Sequence, residues 1–180
     1  ESEIVNGLKK LPGLINEALL QEAQIKQLAK SFINKDSALF LGRGTMYAIA
    51  MEGALKLKEI SYIHAEGFAS GELKHGPIAL IDNKVPVVVI APTNDLFEKT
   101  ISNMHEVMAR DGKVIFVTDR EGSEVASKGS WEIIEMPKIT HLFAPIVYAI
   151  PMQLLAYYTA VTKGTDVDQP RNLAKSVTVE

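Results

Sequence analysis

The apolar positions of the chain change period repeatedly, from short continuous runs to sets spaced three or four residues apart. The continuous runs are rich in Val and Ile and show no polar alternation, which predicts strands buried on both faces of a sheet. The predicted strands are 37–41, about 60–64, 85–91, 113–118 and 131–136. Because helical patterns alternate with these strands, we expect an α/β fold: a three-layer αβα sandwich with a five-stranded parallel sheet of flavodoxin-like order.

The helical patterns divide the chain into three parts. Apolar spacing predicts helices over 45–58, 95–110 and about 141–163, and Gly164 predicts the end of the last one. A polar loop is expected from 119 to 130. Residues 1–35 are also helical in pattern, but Leu11-Pro12-Gly13 interrupts it, so we expect an N-terminal helical arm there. The α/β domain itself is expected to span 36–164.

The last part, 165–180, is polar, contains Pro170 and has no helical period. Composition alone would make it a disordered tail.

Composition removes several classes of function. The chain has 180 residues, enough for one sizeable core, and a net charge of −3, which offers no basic surface for nucleic acid. It has no cysteine, so thiolate metal sites, disulfides and a Cys nucleophile are excluded. The four histidines are scattered, and we predict neither a metal site nor a cofactor.

The longest apolar stretch and the first residues of the chain indicate where in the cell the protein is located. The run 143–155 is predicted to be too short, and too interrupted by Pro145 and Pro151, to span a membrane. The start, Glu1-Ser2-Glu3, is acidic, unlike a signal peptide, so we expect a cytoplasmic protein. An opening on Glu rather than Met also suggests a piece of a longer polypeptide.

Candidate chemistry is concentrated in 40–77. Glu52, Lys56 and Glu59 are spaced four and three apart, so they share one face of the predicted helix. Spacing alone favours a solvated face with ion pairs. The alternative is a general base beside an ammonium group, as proton abstraction next to a carbonyl requires. We favour the second interpretation because this helix begins at the Gly42–Gly44 turn, where α/β proteins bind ligands.

A second polar cluster contains Glu72, Lys74 and His75 and ends at Gly76-Pro77. A turn histidine is usually only exposed, but His75 has the chemistry to move protons between a sugar ring oxygen and its anomeric hydroxyl. The turn GRGT lacks a dinucleotide or P-loop fingerprint, and APTNDLFEKT offers Thr93 alone for gripping a phosphate.

Two segments carry a resemblance to a known family. EGALKLKEISYIHAEGFASGELKHGP and DVDQPRNLAKSVTVE resemble the second sugar-isomerase (SIS) domain of the glutamine–fructose-6-phosphate aminotransferase family. The resemblance implies an αβα sandwich and a reaction in which ammonia condenses with fructose 6-phosphate and the imine is isomerised to glucosamine 6-phosphate. It implies that Glu59 is the base moving a proton between C1 and C2, that Lys56 is its cationic neighbour, and that Glu52 orients the lysine and lies at the substrate.

The same resemblance assigns the second cluster and the tail. His75 matches the ring-opening histidine, which acts in the active site of the partner subunit and so implies a homodimer. Lys175 matches the lysine that folds over the open-chain sugar, with Ala174 beside the substrate. The tail 165–180 then contributes to the active site instead of being disordered.

The resemblance also indicates what the chain lacks. The family's glutaminase domain needs a Cys nucleophile, and its first SIS domain carries a hydroxyl-rich phosphate loop; neither occurs here. We therefore expect half of the isomerase part, inactive alone and weak in binding sugar phosphate. Two alternatives are a free-standing SIS isomerase, which would need its own phosphate loop, and a non-catalytic sugar-phosphate-binding or dimerisation module.

Overall fold

Five parallel strands form the central sheet of the computed structural model, which describes residues 2–172. The strands are β1 (Ser37–Gly42), β2 (His64–Ala69), β3 (Pro86–Ile90), β4 (Lys113–Asp119) and β5 (Glu132–Met136). Their order across the sheet is β2-β1-β3-β4-β5, and every neighbouring pair is parallel. The predicted parallel sheet of flavodoxin-like order is confirmed.

Helices cover both faces of this sheet and complete the predicted three layers. They are α1 (Ser2–Leu19), α2 (Glu22–Ala29), α3 (Thr45–Ser61), α4 (Phe97–Met108), α5 (Arg120–Ala126) and α6 (Ala144–Lys163), with short 3-10 turns at Lys30–Phe32, Ser70–His75 and Pro77–Leu80. The layer formed by α1, α2, α3 and α6 packs on one face, and α4 and α5 pack on the other.

Alternation along β1 shows how the strands serve both layers. Ala38 and Phe40 belong to the cluster under α3 and α6, whereas Leu39 and Leu41 belong to the cluster under α4. All four side chains are at most 2% exposed. A strand buried on both faces has no polar positions to show, which is why β1, β3 and β4 could be recognised as continuous apolar runs.

The turn between β1 and α3 requires glycine at two positions. A Cβ on Gly42 would lie 2.1 Å from the carbonyl oxygen of Met46, so no side chain fits there. Gly44 has a φ of 59°, in the region that favours glycine. The predicted strand–glycine turn–helix unit is therefore present.

The predicted break at Leu11-Pro12-Gly13 is wrong, because α1 continues through it. Pro12 removes one backbone hydrogen bond of the helix, yet the buried residues Leu11 and Ala18 keep a helical spacing across it and pack in the core with α6. Burial of this apolar face outweighs the missing bond. The N-terminal helices are thus built into the same core as the sheet.

The second strand was predicted too early in the sequence. Ile60 and Ser61 complete α3, and Tyr62 ends the helix in the left-handed conformation, with a φ of 61°. β2 begins only at His64, the exposed first residue of an edge strand. The prediction failed because a left-handed helix end is normally marked by Gly or Asn, and here it is a tyrosine.

The loop predicted between β4 and β5 contains α5, a helix of seven residues. Its sequence, REGSEVA, is polar, and only Gly122 and Ala126 are buried. Asp119 caps it by accepting a hydrogen bond from the Gly122 amide at 3.1 Å. Capping, rather than apolar periodicity, specifies this helix, so the hydrophobic pattern could not predict it.

The apolar stretch that was predicted to be too short and too interrupted to span a membrane is part of a continuous helix, α6. Pro145 lies in the first turn, where no amide is needed, and Pro151 lies within the continuous helix. By length and composition α6 is able to cross a membrane, but half of its most apolar window is buried in the protein. It packs against α1, α2 and α3 and is the central helix of its layer.

Candidate active site

Helix α3 presents Glu52, Lys56 and Glu59 on one face, as their spacing predicts. Lys56 Nζ lies 2.6 Å from Glu59 Oε2, and the two side chains are 35% and 26% exposed. Both are therefore partly sheltered and still reachable from solvent. We refer to these three residues as the α3 stripe.

Glu52 is coupled to the other two residues of the stripe because its negative charge acts on Lys56. The hydrogen bond from Lys56 to Glu59 raises the pKa of Lys56; partial burial opposes this, and the charges of Glu59 and Glu52 add to it. The lysine is accordingly an ammonium group at neutral pH, between two carboxylates on one helix face.

Gln153 of α6 is the contact of the stripe that the sequence did not predict. Its Nε2 donates to Glu52 Oε1 at 3.3 Å. The signal that could have identified Gln153 is a polar side chain in the middle of a strongly apolar helix.

Exposed apolar side chains flank the α3 stripe. Met51 is 44% and Leu55 is 49% exposed, and each is adjacent in sequence to a member of the stripe. A charged pair bordered by exposed apolar surface is suited to being covered by another protein surface, which would remove the pair from bulk water.

The α3 stripe does not lie at the glycine turn, contrary to the reasoning from placement. Helix α3 starts at Thr45, so Glu59 is about 20 Å further along the helix axis, at a rise of 1.5 Å per residue. It lies near the amino-terminal edge of the sheet, next to the residues that lead into β2. The candidate chemistry therefore depends on the helix face and not on the carboxyl edge of the strands.

His75 lies at the end of the 3-10 turn Ser70–His75, which follows β2. Its Nδ1 is 2.7 Å from Glu72 Oε2, and the two side chains are 71% and 65% exposed. With Nδ1 engaged by the carboxylate, Nε2 is the nitrogen left free to exchange a proton with a ligand.

The structure does not bring His75 to the α3 stripe of the same chain. The turn Ser70–His75 packs against α4, and Leu73 belongs to the core cluster on that side of the sheet. Glu59 lies in the opposite layer. Within one chain the two predicted groups are on different faces of the sheet.

The start of the C-terminal segment is attached to the end of α3. Thr165 Oγ1 donates to the Ile60 carbonyl at 2.6 Å, and the Arg171 amide donates to the Tyr62 hydroxyl at 2.9 Å. The Arg171 guanidinium also lies 4.2 Å from the centre of the Tyr62 ring. These contacts place residues 165–171 beside the end of the helix that carries Glu59. Lys175 and Ala174 lie outside the described residues.

A separate cavity of about 540 Å³ lies at the carboxyl edge of the sheet. Its polar lining comes from three turns, one of which contains Thr93. The lining residues are Arg43, Gly44, Thr45, Thr93, Asn94, Asp95, Leu96, Ile139, Thr140 and His141. Such a cavity was not visible in the sequence, because its residues are up to 98 positions apart.

The polar groups beneath this cavity are used to hold the fold together. Asp119 is 3% exposed and accepts from the Thr93 amide at 3.0 Å, from the Thr93 hydroxyl at 2.5 Å and from the Gly122 amide. Arg43 Nη2 donates to Asn103 Oδ1 at 3.0 Å. The Thr93 hydroxyl, which by itself is too little for a phosphate-binding turn, is thus engaged in tying β3 to β4.

Comparison with protein families assigns this architecture. The family model described as the SIS domain matches residues 31–163. The chain belongs to the SIS domain family. Curated relatives of this SIS domain include glutamine–fructose-6-phosphate aminotransferases (isomerizing) from Bradyrhizobium diazoefficiens, 61% identical, and Zymomonas mobilis, 59% identical. Each match covers the whole chain but 30% of the relative, so the SIS domain spans under a third of their length.

Solved structures agree with the assignment. The C-terminal domain of glucosamine-fructose-6-phosphate aminotransferase from Francisella tularensis superposes with a TM-score of 0.90 at 47% identity, covering 93% of this chain and 47% of that one. Tagatose-6-phosphate ketose/aldose isomerase from Escherichia coli, at 18% identity and a TM-score of 0.69, covers 83% of this chain and 42% of that one and shares the fold. The predicted resemblance to the isomerase half of the aminotransferases is confirmed.

Proposed function

We propose that this chain is the C-terminal SIS domain of an aminotransferase that converts fructose 6-phosphate and glutamine-derived ammonia into glucosamine 6-phosphate. The names of its relatives support this, together with a match that spans the whole chain. The enzyme is proposed to act in the cytoplasm as a homodimer. Its other partners are the first SIS domain and the glutaminase domain of the longer polypeptide.

The contact between Lys56 and Glu59 carries the proposal. A carboxylate that is accessible and held 2.6 Å from an ammonium group is equipped to take a proton from the carbon next to a carbonyl or imine. Glu59 is proposed to move this proton between C1 and C2. Lys56 stabilises the negative charge that develops on the substrate oxygen, and Glu52 orients Lys56.

His75 is proposed to open the sugar ring in the active site of the partner subunit. Its exposure of 71%, and its position across the sheet from Glu59, support a role between subunits. Glu72 engages Nδ1 and leaves Nε2 for the ring oxygen and the anomeric hydroxyl.

Lys175 and Ala174 are proposed to close over the open-chain substrate. The support is indirect: the contacts of Arg171 with Tyr62 fix the preceding segment at the end of α3, and Lys175 follows Arg171 by four residues in the sequence. Sugar phosphate is proposed to bind the 180-residue chain only weakly, because the principal anion contacts belong to the remainder of the polypeptide.

The experiment is a turnover measurement on the full-length polypeptide with Glu59→Gln. A positioned general base contributes about 10²–10⁴-fold, so kcat is expected to fall by at least that factor. The matched control is Glu124→Gln, which also removes an ion pair within one helix, that of Arg120 with Glu124, and keeps full activity. Turnover by Glu59→Gln within a few-fold of wild type would leave the non-catalytic module as the better description.

A further inference from the structure

The turn Ser70–His75 lies beside a group of polar side chains, Arg43, Asn103 and Glu106. We refer to these three residues as the polar seat. Lys74 Nζ lies 2.9 Å from Glu106 Oε1 on α4. On the other side, an ideal Cβ built on Gly71 would lie 3.1 Å from the Arg43 guanidinium, so the backbone of the turn lies directly against that side chain. Contacts with α4 and with the β1–α3 turn therefore both fix the residues that precede His75.

The two sides of the seat are connected through α4. Asn103, which accepts from Arg43 Nη2 at 3.0 Å, is one helical turn before Glu106. Arg43, Asn103 and Glu106 thus form a row from the β1–α3 turn to Lys74. A shift of α4 or of the arginine would move the turn that carries His75.

Several polar atoms at the seat are buried, which lowers the stability of the folded state. Glu106 Oε2, Ser70 Oγ and Arg43 Nε are buried without a hydrogen-bond partner among residues 2–172. Buried unpaired polar atoms oppose folding, and an apolar seat would avoid them. The ion pair returns little stability, because the Lys74 side chain is 64% exposed. The ion pair therefore adds little to stability, whereas it does restrict where Lys74 lies against α4.

We propose that Glu106 is a positioning residue for His75, acting through its ion pair with Lys74. The inference rests on the proposed role of His75 in ring opening. Glu106 itself is 20% exposed and touches Lys74, not the imidazole. It fixes the neighbouring residue and hence the direction in which the ring leaves the turn.

A double-mutant cycle in the full-length polypeptide tests this. Glu106→Gln keeps the size of the side chain and removes its charge, and is expected to lower kcat about tenfold with KM unchanged, because misplacing a reacting group is costly. Lys74→Met is expected to do the same, and Lys74→Arg to retain most activity. Combined with His75→Asn, Glu106→Gln is expected to add no further loss, since it acts through the missing ring.

The outcomes separate the two proposals. If Glu106→Gln retains wild-type kcat, or if its effect is equally large with and without His75, the positioning role is overturned. If His75→Asn itself retains wild-type turnover, the proposed role of His75 fails, and the inference with it. Glu124→Gln is the control, since its exposed ion pair with Arg120 lies on α5, outside the seat.

Discussion

The α3 stripe and the carboxyl-edge cavity are two polar regions of this domain that differ in how their groups are used. At the cavity, Asp119 accepts three hydrogen bonds from buried or partly buried donors, and Arg43 is tied to Asn103. On the α3 stripe, Lys56 and Glu59 contact each other and remain partly exposed.

This difference distinguishes an acid that holds the fold together, Asp119, from an acid that remains accessible, Glu59. The carboxyl edge is where open α/β sheets usually bind ligands, yet Asp119, the buried acid at the end of β4, is committed to holding the chain together. The stripe contributes little to the fold, because its charges are screened by water. Its exposed apolar border, with Met51 and Leu55, suits a site that is completed by another part of the protein.

The largest expected contrast is in turnover of the full-length polypeptide. Lys56→Met removes the charge that stabilises the developing oxyanion, and is expected to lower kcat about 10²-fold. His141→Asn, in the lining of the carboxyl-edge cavity, is expected to stay within about twofold of wild type. Steady-state kinetics measure both variants, and a larger loss for His141→Asn than for Lys56→Met would contradict the assignment of the chemistry to the α3 stripe.

A smaller contrast is expected in stability, where the variant near the cavity is expected to lose more than the variant on the α3 stripe. Asp119→Ala removes the cap of α5 and leaves the Thr93 amide and hydroxyl unpaired, so the free energy of unfolding is expected to fall by about 1–3 kcal/mol. Glu52→Gln on the stripe is expected to change it by less than about 0.5 kcal/mol. Urea unfolding of both variants measures this, and equal losses would contradict the division.

The smallest expected effect is the pH dependence of the Lys56 pair. Hydrogen bonding to Glu59 raises the pKa of Lys56 above 10.5, so the folded protein holds this proton more tightly than the unfolded chain. The stabilisation is fully present below pH 10.5 and is lost as the pH rises through the folded pKa. The difference in unfolding free energy between wild type and Lys56→Gln should therefore shrink as the pH rises above 10.5; a difference that grows would contradict the assignment.

Much of the fold followed from local patterns. β1, β3 and β4 are buried on both faces, so their composition alone identified them, and their alternation with helices indicated a parallel sheet. The pattern failed where one residue or one cap decides the structure. Tyr62 ends α3 in place of a glycine, and Asp119 starts α5 without an apolar face.

The same limit applies to the site. The α3 stripe was predictable, because Glu52, Lys56 and Glu59 are neighbours on one helix and helical geometry brings them together. The partners Gln153 and Glu106 come from other elements, and only the packing of α6 and α4 brings them to Glu52 and Lys74. Sequence spacing has no information on such contacts.

The most direct test of Glu59 as the base measures the exchange of hydrogen at C1 and C2 of the sugar with solvent. Full-length polypeptide is incubated with fructose 6-phosphate in deuterium oxide, and deuterium at C1 and C2 of the sugar is measured by mass spectrometry or NMR, for wild type and for Glu59→Gln. If Glu59 lifts the proton, wild type incorporates deuterium and the variant does so at least about 10²-fold more slowly. Incorporation by Glu59→Gln at the wild-type rate would show that another group does this chemistry.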